Sequence, residues 1–276
     1  MNIVDQTYTL SNGVKIPKIG LGTWQSKPGT ETYDAVMYAL KHGYHLIDTA
    51  AGYKNEESVG RALKDSKVKR EDIFITTKLE SHIKTYEGAL KAFNASLKAL
   101  DLDYIDLYLI HAPWPWSDMG KNCDEGNVQA YKAMEKMYKE GKVRAIGVSN
   151  FDPKHLDNII THCDITPHVN QIGYFIGLDQ SKTIEYCQDK NIFIEAYSPL
   201  GIGYLLDNET IQKVAKDYKV SPAQICIRYL LQKNVTPIPK SVNEDRIVQN
   251  IQVDFEIKDD DMALLDTIKG DPRRWD

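Results

Sequence analysis

Residues 72–111 read DIFITTKLESHIKTYEGALKAFNASLKALDLDYIDLYLIH. Two short runs rich in Ile, Leu, Phe and Tyr, 72–79 and 104–111, flank an amphipathic stretch at 86–99. Short β-branched and aromatic runs read as strands, and helically spaced apolar residues between them read as a helix. Two hydrophobic strands joined by a helix pair in parallel, because only a crossover connection brings the chain back in the same direction.

Outward from this unit the alternation repeats. Further strands are expected at 18–24, 45–50, 143–150, 168–174, 192–198 and 236–241. Helical patterns lie near 30–42, 55–65, 127–140, 153–161, 180–189, 207–218, 222–232 and 243–250. Eight strands with intervening helices predict an α/β fold, a (β/α)8 TIM barrel. Ahead of them, TYTL and VKIP flank Ser11-Asn12-Gly13. Asn-Gly is expected to supply the positive φ angles of a tight turn, making an N-terminal β-hairpin that closes the barrel bottom. A last amphipathic segment, 259–269, opens on acidic residues and is followed by Gly270, which predicts a helix packed outside the barrel. No composition shift or linker divides the chain, so one barrel domain over 1–276 is expected, with a doubly wound two-domain fold as the alternative.

Composition narrows the function classes. Of 276 residues, 42% are hydrophobic and 26% charged, the balance of an ordinary globular protein. Mean hydropathy is -0.43, and no apolar run approaches the roughly 18 residues that cross a bilayer. The opening MNIVDQTYTL has no basic segment followed by an apolar one. A cytoplasmic protein with no membrane partner is expected. The formal charge of -5 has the wrong sign for neutralising phosphate backbones, so no nucleic acid is expected either. Cys123, Cys163, Cys187 and Cys226 form no CxxC pair, which suggests neither a metal site nor a disulfide framework.

Barrel chemistry collects where strands end and βα loops begin. The second expected strand ends at Asp48 with Tyr53 just beyond, the third carries Lys78, and the fourth stops at His111. Singly, each has an ordinary structural reading: Asp48 as a helix cap, Tyr53 as loop packing, Lys78 as a rim charge, His111 as an interior histidine. Together they converge. A lysine inside the apolar run FITTKL needs a counter-charge, and Asp48 stands on the neighbouring strand. A lysine beside a tyrosine favours phenolate, which predicts a lowered Tyr53 pKa and a general acid that works near neutral pH.

Over almost its whole length the chain resembles the aldo-keto reductases. The matching segments are GLGTW (20–24), GYHLIDTAAGYKNEESVG (43–60), ITTKL (75–79), YIDLYLIH (104–111), GKVRAIGVSNF (141–151), NQ (170–171), AYSPLG (196–201) and PIPKSVNEDRIVQN (237–250). The resemblance implies that Asp48, Tyr53, Lys78 and His111 form a catalytic tetrad, with Tyr53 donating a proton and His111 orienting the substrate carbonyl. It implies NADPH-dependent reduction of small aldehydes and ketones, such as α-dicarbonyls or keto sugars, by a monomer. An NADPH-sensing regulatory barrel with little turnover is the alternative, and a cofactor-free barrel hydrolase or isomerase a third reading.

The dinucleotide fingerprint of doubly wound folds is absent: Gln25 falls where a third glycine would follow Gly20 and Gly22. By resemblance, the cofactor contacts are instead Gly22, Thr23 and Trp24; Ser149, Asn150 and Gln171 at the nicotinamide carboxamide; Tyr197 stacked on the ring; and Ser198, Leu200 and Gly201 along the pyrophosphate. Lys240, Ser241, Val242 and Arg246 end the eighth strand and open a helix, a place suited to phosphate. Lys240 and Arg246 then resemble a clamp on the adenosine 2'-phosphate, with Gln249 and Asn250 facing the adenine. The expected substrate walls are Trp24, Tyr53, His111 and Trp114. Two departures bear on those walls: Ala112 stands where the family commonly has tryptophan after the histidine, and Gly173 and Phe175 replace the usual residues after the sixth strand.

Overall fold

The computed structural model describes residues 2–270. Eight strands follow in chain order around a parallel sheet: β3 (Leu21–Gly22), β4 (Leu46–Asp48), β5 (Phe74–Leu79), β6 (Ile105–Ile110), β7 (Val143–Ser149), β8 (Val169–Gly173), β9 (Phe193–Tyr197) and β10 (Thr236–Pro237). A parallel bridge between Gly22 and Lys240 joins the first strand to the last. Gly20 N and Gly22 N donate to Pro237 O and Pro239 O, each at 3.1 Å, and the ring closes. At this seam β3 comes so near β10 that a Cβ on Gly22 would sit 2.7 Å from the Ile238 carbonyl oxygen.

Helices α1 (Thr30–Lys41), α2 (Glu56–Ser66), α3 (Tyr86–Leu100), α4 (Asp124–Lys139), α5 (Pro153–His162) and α6 (Ser181–Asp189) each link successive strands. The pair α7 (Glu209–Tyr218) and α8 (Pro222–Gln232) links β9 to β10, and α9 (Glu244–Asn250) and α10 (Asp259–Asp266) follow. Their starts are encoded locally. The Ser221 side chain accepts from Gln224 N while Gln224 bonds back, Asp152 accepts from His155 N ahead of Pro153, and Asn243 accepts from Arg246 N.

Strands β5 and β6 are buried at every residue, as strands covered on both faces must be. Alternation then sorts their side chains. Leu46, Phe74, Leu107, Leu109, Val169 and Ile238 form one cluster inside the barrel, whereas Ile47, Ile75, Tyr108, Ile110 and Ile172 pack outward against the helices. Two residues further along the inward rows stand Asp48, Gln171 and Glu195, with Lys78 four residues beyond Phe74.

The hairpin of β1 (Thr7–Thr9) and β2 (Lys15–Pro17) plugs the bottom, with Leu10 and Ile16 joining the inner cluster. Its turn differs from the expectation. Leu10 N bonds Val14 O across a three-residue loop in which Gly13 has φ +85°, while Asn12 is not at positive φ. Asn12 instead donates its side-chain amide to Arg144 O at 3.0 Å, pinning the loop to the barrel.

The strands expected at 18–24 and 236–241 shrink to Leu21–Gly22 and Thr236–Pro237. Pro17, Pro237 and Pro239 lack the N–H that a continuous ladder requires. The last helix stops at Asp266, short of the expected 269, and sits on α7 through Tyr218, which donates to Asp261 at 2.7 Å.

Candidate active site

The four titratable residues expected at one mouth are gathered there. Asp48 ends β4, Lys78 lies in β5, a single 3-10 turn after β4 brings in Tyr53, and His111 follows β6 with its N–H on Leu79 O at 3.2 Å. Lys78 is wholly buried. Its Nζ donates to Asp48 Oδ1 and Oδ2 at 2.8 and 2.7 Å and to Thr49 O at 2.8 Å, and it lies 3.5 Å from the Tyr53 hydroxyl. The Tyr53 and His111 rings meet edge to face with centroids 5.5 Å apart.

Burial and these contacts set the charges. Burial opposes the Lys78 cation, but Asp48, assisted by Tyr53 and Glu195, outweighs it and raises the ammonium pKa. Burial together with the Lys78 charge pushes His111 down to about 3, so its imidazole is neutral near pH 7. For Tyr53 the direction is opposite to the one expected. Its ring is partly open to the cavity, yet burial of the hydroxyl raises the phenol pKa more than Lys78 lowers it, and the Asp48 anion adds to the rise. The Lys78 cation alone would lower the value; desolvation outweighs it, and the Asp48 counter-ion opposes it.

Asp48, Tyr53 and His111 line a cavity of about 880 Å³, with Lys78 buried behind them. Of the expected contacts, Gly22, Trp24, Ser149, Asn150, Gln171, Tyr197, Ser198 and Lys240 line it, as do Tyr53, His111 and Trp114. Several others lie elsewhere. Thr23 is buried with its hydroxyl on Asp48 O at 2.9 Å, so it braces the strand end and does not face the cavity. Leu200 packs into the core, and Gly201, at φ +56°, leaves no room for a Cβ beside Tyr204. Ser241, Val242, Arg246, Gln249 and Asn250 are not part of the cavity wall; they lie just before and along α9, the last two at its end, and the segment meets the cavity at Lys240. Lys240 and Arg246 are exposed, and among the described residues neither has an ion-pair partner.

Polar groups on the far wall are tied to one another. Ser149 Oγ donates to Gln171 O at 2.8 Å, Asn150 Nδ2 donates to His111 O and to Ser149 Oγ at 3.0 Å each, and Tyr197 donates to Asn150 Oδ1 at 2.6 Å. Asn150 and Ser198 hold φ of +62° and +51°, uncommon for residues with side chains and frequent at functional loops.

The loop after His111 restores the aromatic wall that Ala112 gives up. Ala112 is buried and its carbonyl accepts from Lys84 Nζ at 2.7 Å. Trp116, four residues on, sets its ring edge-on to His111 at 5.7 Å and against Trp114 at 5.0 Å. Gly173 lines the cavity, while Phe175 is buried against Tyr204. Two further residues belong to the site without a sequence expectation: Glu195, an inward carboxyl bonded to Gln171, and Ile202, an exposed residue lining the cavity. Strand alternation could have found Glu195, since it shares the inward row of β9 with Phe193 and Tyr197. No local pattern marked Ile202.

Comparison with known proteins agrees with this arrangement. The sequence profile described as the Aldo/keto reductase family matches residues 18–269. A glyoxal reductase of Bacillus subtilis is 45% identical over 268 residues, covering 97% of this chain and 94% of that protein. A 9,11-endoperoxide prostaglandin H2 reductase of Trypanosoma cruzi is 43% identical, covering 99% and 95%. Among solved structures, an aldo-keto reductase from a Medee basin deep-sea metagenome library superposes with a TM-score of 0.89 at 44% identity, covering 96% of this chain and 95% of that one. A Bombyx mori aldo-keto reductase in complex with NADP gives 0.86 at 33% identity, covering 95% and 92%. With the profile spanning nearly all of a closed parallel barrel, and reductases matching end to end, the chain belongs to the aldo/keto reductase family of oxidoreductases.

Proposed function

We propose that this protein is an NADPH-dependent reductase of aldehydes and ketones, a single barrel domain in which Tyr53 is the proton donor. The observation that carries the reading is the Tyr53 hydroxyl, 3.5 Å from a buried Lys78 ammonium and beside His111, on the floor of an aromatic-walled cavity.

The residues present suit a nicotinamide dinucleotide. Ser149, Asn150 and Gln171 offer a carboxamide-sized set of polar groups on one wall, and among the described residues no donor reaches Gln171 Oε1. The Tyr197 ring and the Ser198 turn line the same cavity, as do Gly22 and Trp24. Lys240 and Arg246, two exposed cations without ion-pair partners among the described residues, would hold a 2'-phosphate. Ser241, Val242, Gln249 and Asn250 would flank the adenosine, and Leu200 and Gly201 would shape the turn beneath the pyrophosphate. When bound, the reduced nicotinamide supplies the hydride that no side chain can.

The chain's own residues do the rest. Tyr53, protonated across the neutral range because its pKa is raised, gives its proton to the carbonyl oxygen at its hydroxyl. Lys78 stabilises the phenolate left behind, and Asp48 holds the ammonium in place. Neutral His111 hydrogen-bonds the same oxygen and orients it. Trp24, Trp114 and Trp116 provide the apolar contact by which small carbonyl compounds are held. The name of the Bacillus subtilis relative makes α-dicarbonyls the first substrates to try.

The test is loss of reduced-nicotinamide absorbance with glyoxal, methylglyoxal and a series of aromatic aldehydes, each with NADPH and with NADH. Turnover that is faster with NADPH supports the reading. Folded protein that binds NADPH and reduces none of these compounds would point to the sensing barrel.

A further inference from the structure

Glu195 is wholly buried inside the barrel, on the inward row of β9, where it pairs in register with Gln171 on β8. Gln171 Nε2 donates to Glu195 Oε2 at 2.6 Å, and the same nitrogen donates to Asp48 Oδ2 at 2.7 Å. A carboxamide nitrogen carries two hydrogens. Both are committed here, one to each carboxyl group.

Two anchors fix what one would leave free. A single bond from Nε2 to Asp48 would let the amide swing about that contact; the second, to Glu195, sets its plane. Turning the amide over would place Oε1 against the Asp48 carboxylate, which Lys78 holds rigidly in position. The remaining polar atom, Oε1, belongs to a residue lining the cavity, and among the described residues it receives no hydrogen bond. We propose that Glu195 is a positioning residue of the nicotinamide pocket: together with Asp48 it locks the Gln171 side chain so that the cavity meets a fixed acceptor, matched to the NH2 group of the nicotinamide carboxamide. The inference rests on the reading that the chain binds a nicotinamide dinucleotide.

Charge supports the geometry. Burial and the nearby Asp48 charge push the Glu195 carboxyl up to about 8, against the opposing pull of Gln171 and Lys78. Near neutral pH it therefore keeps its proton and acts as a neutral anchor, so the barrel interior holds Lys78 against Asp48 without a second anion.

The experiment measures binding by quenching of tryptophan fluorescence, using NADPH and 2'-phospho-ADP-ribose, which lacks only the nicotinamide. Glu195→Met keeps the length and removes the acceptor; Glu195→Leu is the second such variant, in case the first does not fold; Glu195→Gln retains an acceptor oxygen. With one hydrogen bond of the lock removed, the Kd for NADPH should rise about five-fold or more, that for 2'-phospho-ADP-ribose should change less than about two-fold, and Glu195→Gln should restore most of the loss. Unchanged NADPH affinity in a folded Met or Leu variant would overturn the proposal. So would equal weakening of both ligands, which means general damage to the barrel. Wild-type protein that binds neither ligand would instead refute the underlying nicotinamide reading.

Discussion

Lys78 Nζ sits between both carboxylate oxygens of Asp48, at 2.8 and 2.7 Å, with neither side chain exposed to more than a trace of solvent. Such a pair is weak evidence of stability, because desolvating both ions offsets their attraction, but removing one partner leaves an uncompensated buried charge. The pair therefore holds a fixed cation 3.5 Å from a phenol, and several consequences can be measured.

Tyr53→Phe keeps the ring and deletes the donor. Carbonyl reduction should fall by about a hundred-fold or more, while NADPH binding, followed by fluorescence, stays near wild type. Lys78→Met should lose activity to a similar extent and also strand Asp48, lowering stability by about 3 to 5 kcal/mol in a denaturant titration. Wild-type kcat in folded, cofactor-bound Tyr53→Phe would refute Tyr53 as the donor.

The pH profile follows from the two directions. His111, pushed down to about 3, does not titrate between pH 5 and 8, and Tyr53, raised above the ordinary phenol value, keeps its proton there. The rate of reduction should be flat through the neutral range and decline only at strongly alkaline pH, where alcohol oxidation, which needs phenolate, should increase. A break near pH 6.5 in kcat, the ordinary histidine value, would show that His111 is not held neutral.

Arg246→Ala and Lys240→Ala should each weaken NADPH roughly ten-fold, the size of one charge-assisted hydrogen bond at an exposed site, and leave NADH nearly unchanged. Equal losses for both dinucleotides would mean that these side chains support the start of α9 instead.

Trp116 packs in T-shaped contacts with both His111 and Trp114, so Trp116→Ala and Trp114→Ala should raise KM across aldehydes more than they lower kcat. Kinetics unchanged for every substrate would remove the pair from the pocket.

Glu195 links stability to pH. In the unfolded chain it ionises near the ordinary glutamate value of about 4.3, whereas the folded protein holds the proton up to about 8. The folded state thus binds the extra proton in between, and its stability from this group is full below the unfolded value and is lost as pH rises through the folded one. Melting temperatures of wild type and Glu195→Gln, compared across that interval, should show the variant gaining on wild type up to about pH 8 and keeping a constant lead above it. A gap independent of pH would mean that Glu195 ionises normally.

The barrel was legible in the chain because each of its strands and helices is marked by local periodicity. FITTKL and IDLYLI are dominated by β-branched, aliphatic and aromatic residues and are buried at every position, as strands covered on both faces must be, and Pro222 and Ser221 announce the start of α8. The same order of elements placed Asp48, Tyr53, Lys78 and His111 at one end of neighbouring strands, since barrel strands follow one another around the ring. What local pattern could not supply were the quantities that depend on distant segments meeting. How the barrel closes was one of these: Gly20 N and Gly22 N find the carbonyls of Pro237 and Pro239 from the far end of the chain. Thr23 turned away from the cavity because the Asp48 carbonyl lay within reach of its hydroxyl. The direction of the Tyr53 pKa was decided by how deeply the folded barrel desolvates the phenol, with an aspartate opposing the lysine's charge. Glu195 reached Gln171 and, through it, Asp48 across a closed barrel, so its place in the site was set by strand register and ring closure, and desolvation there acts on all of these groups at once.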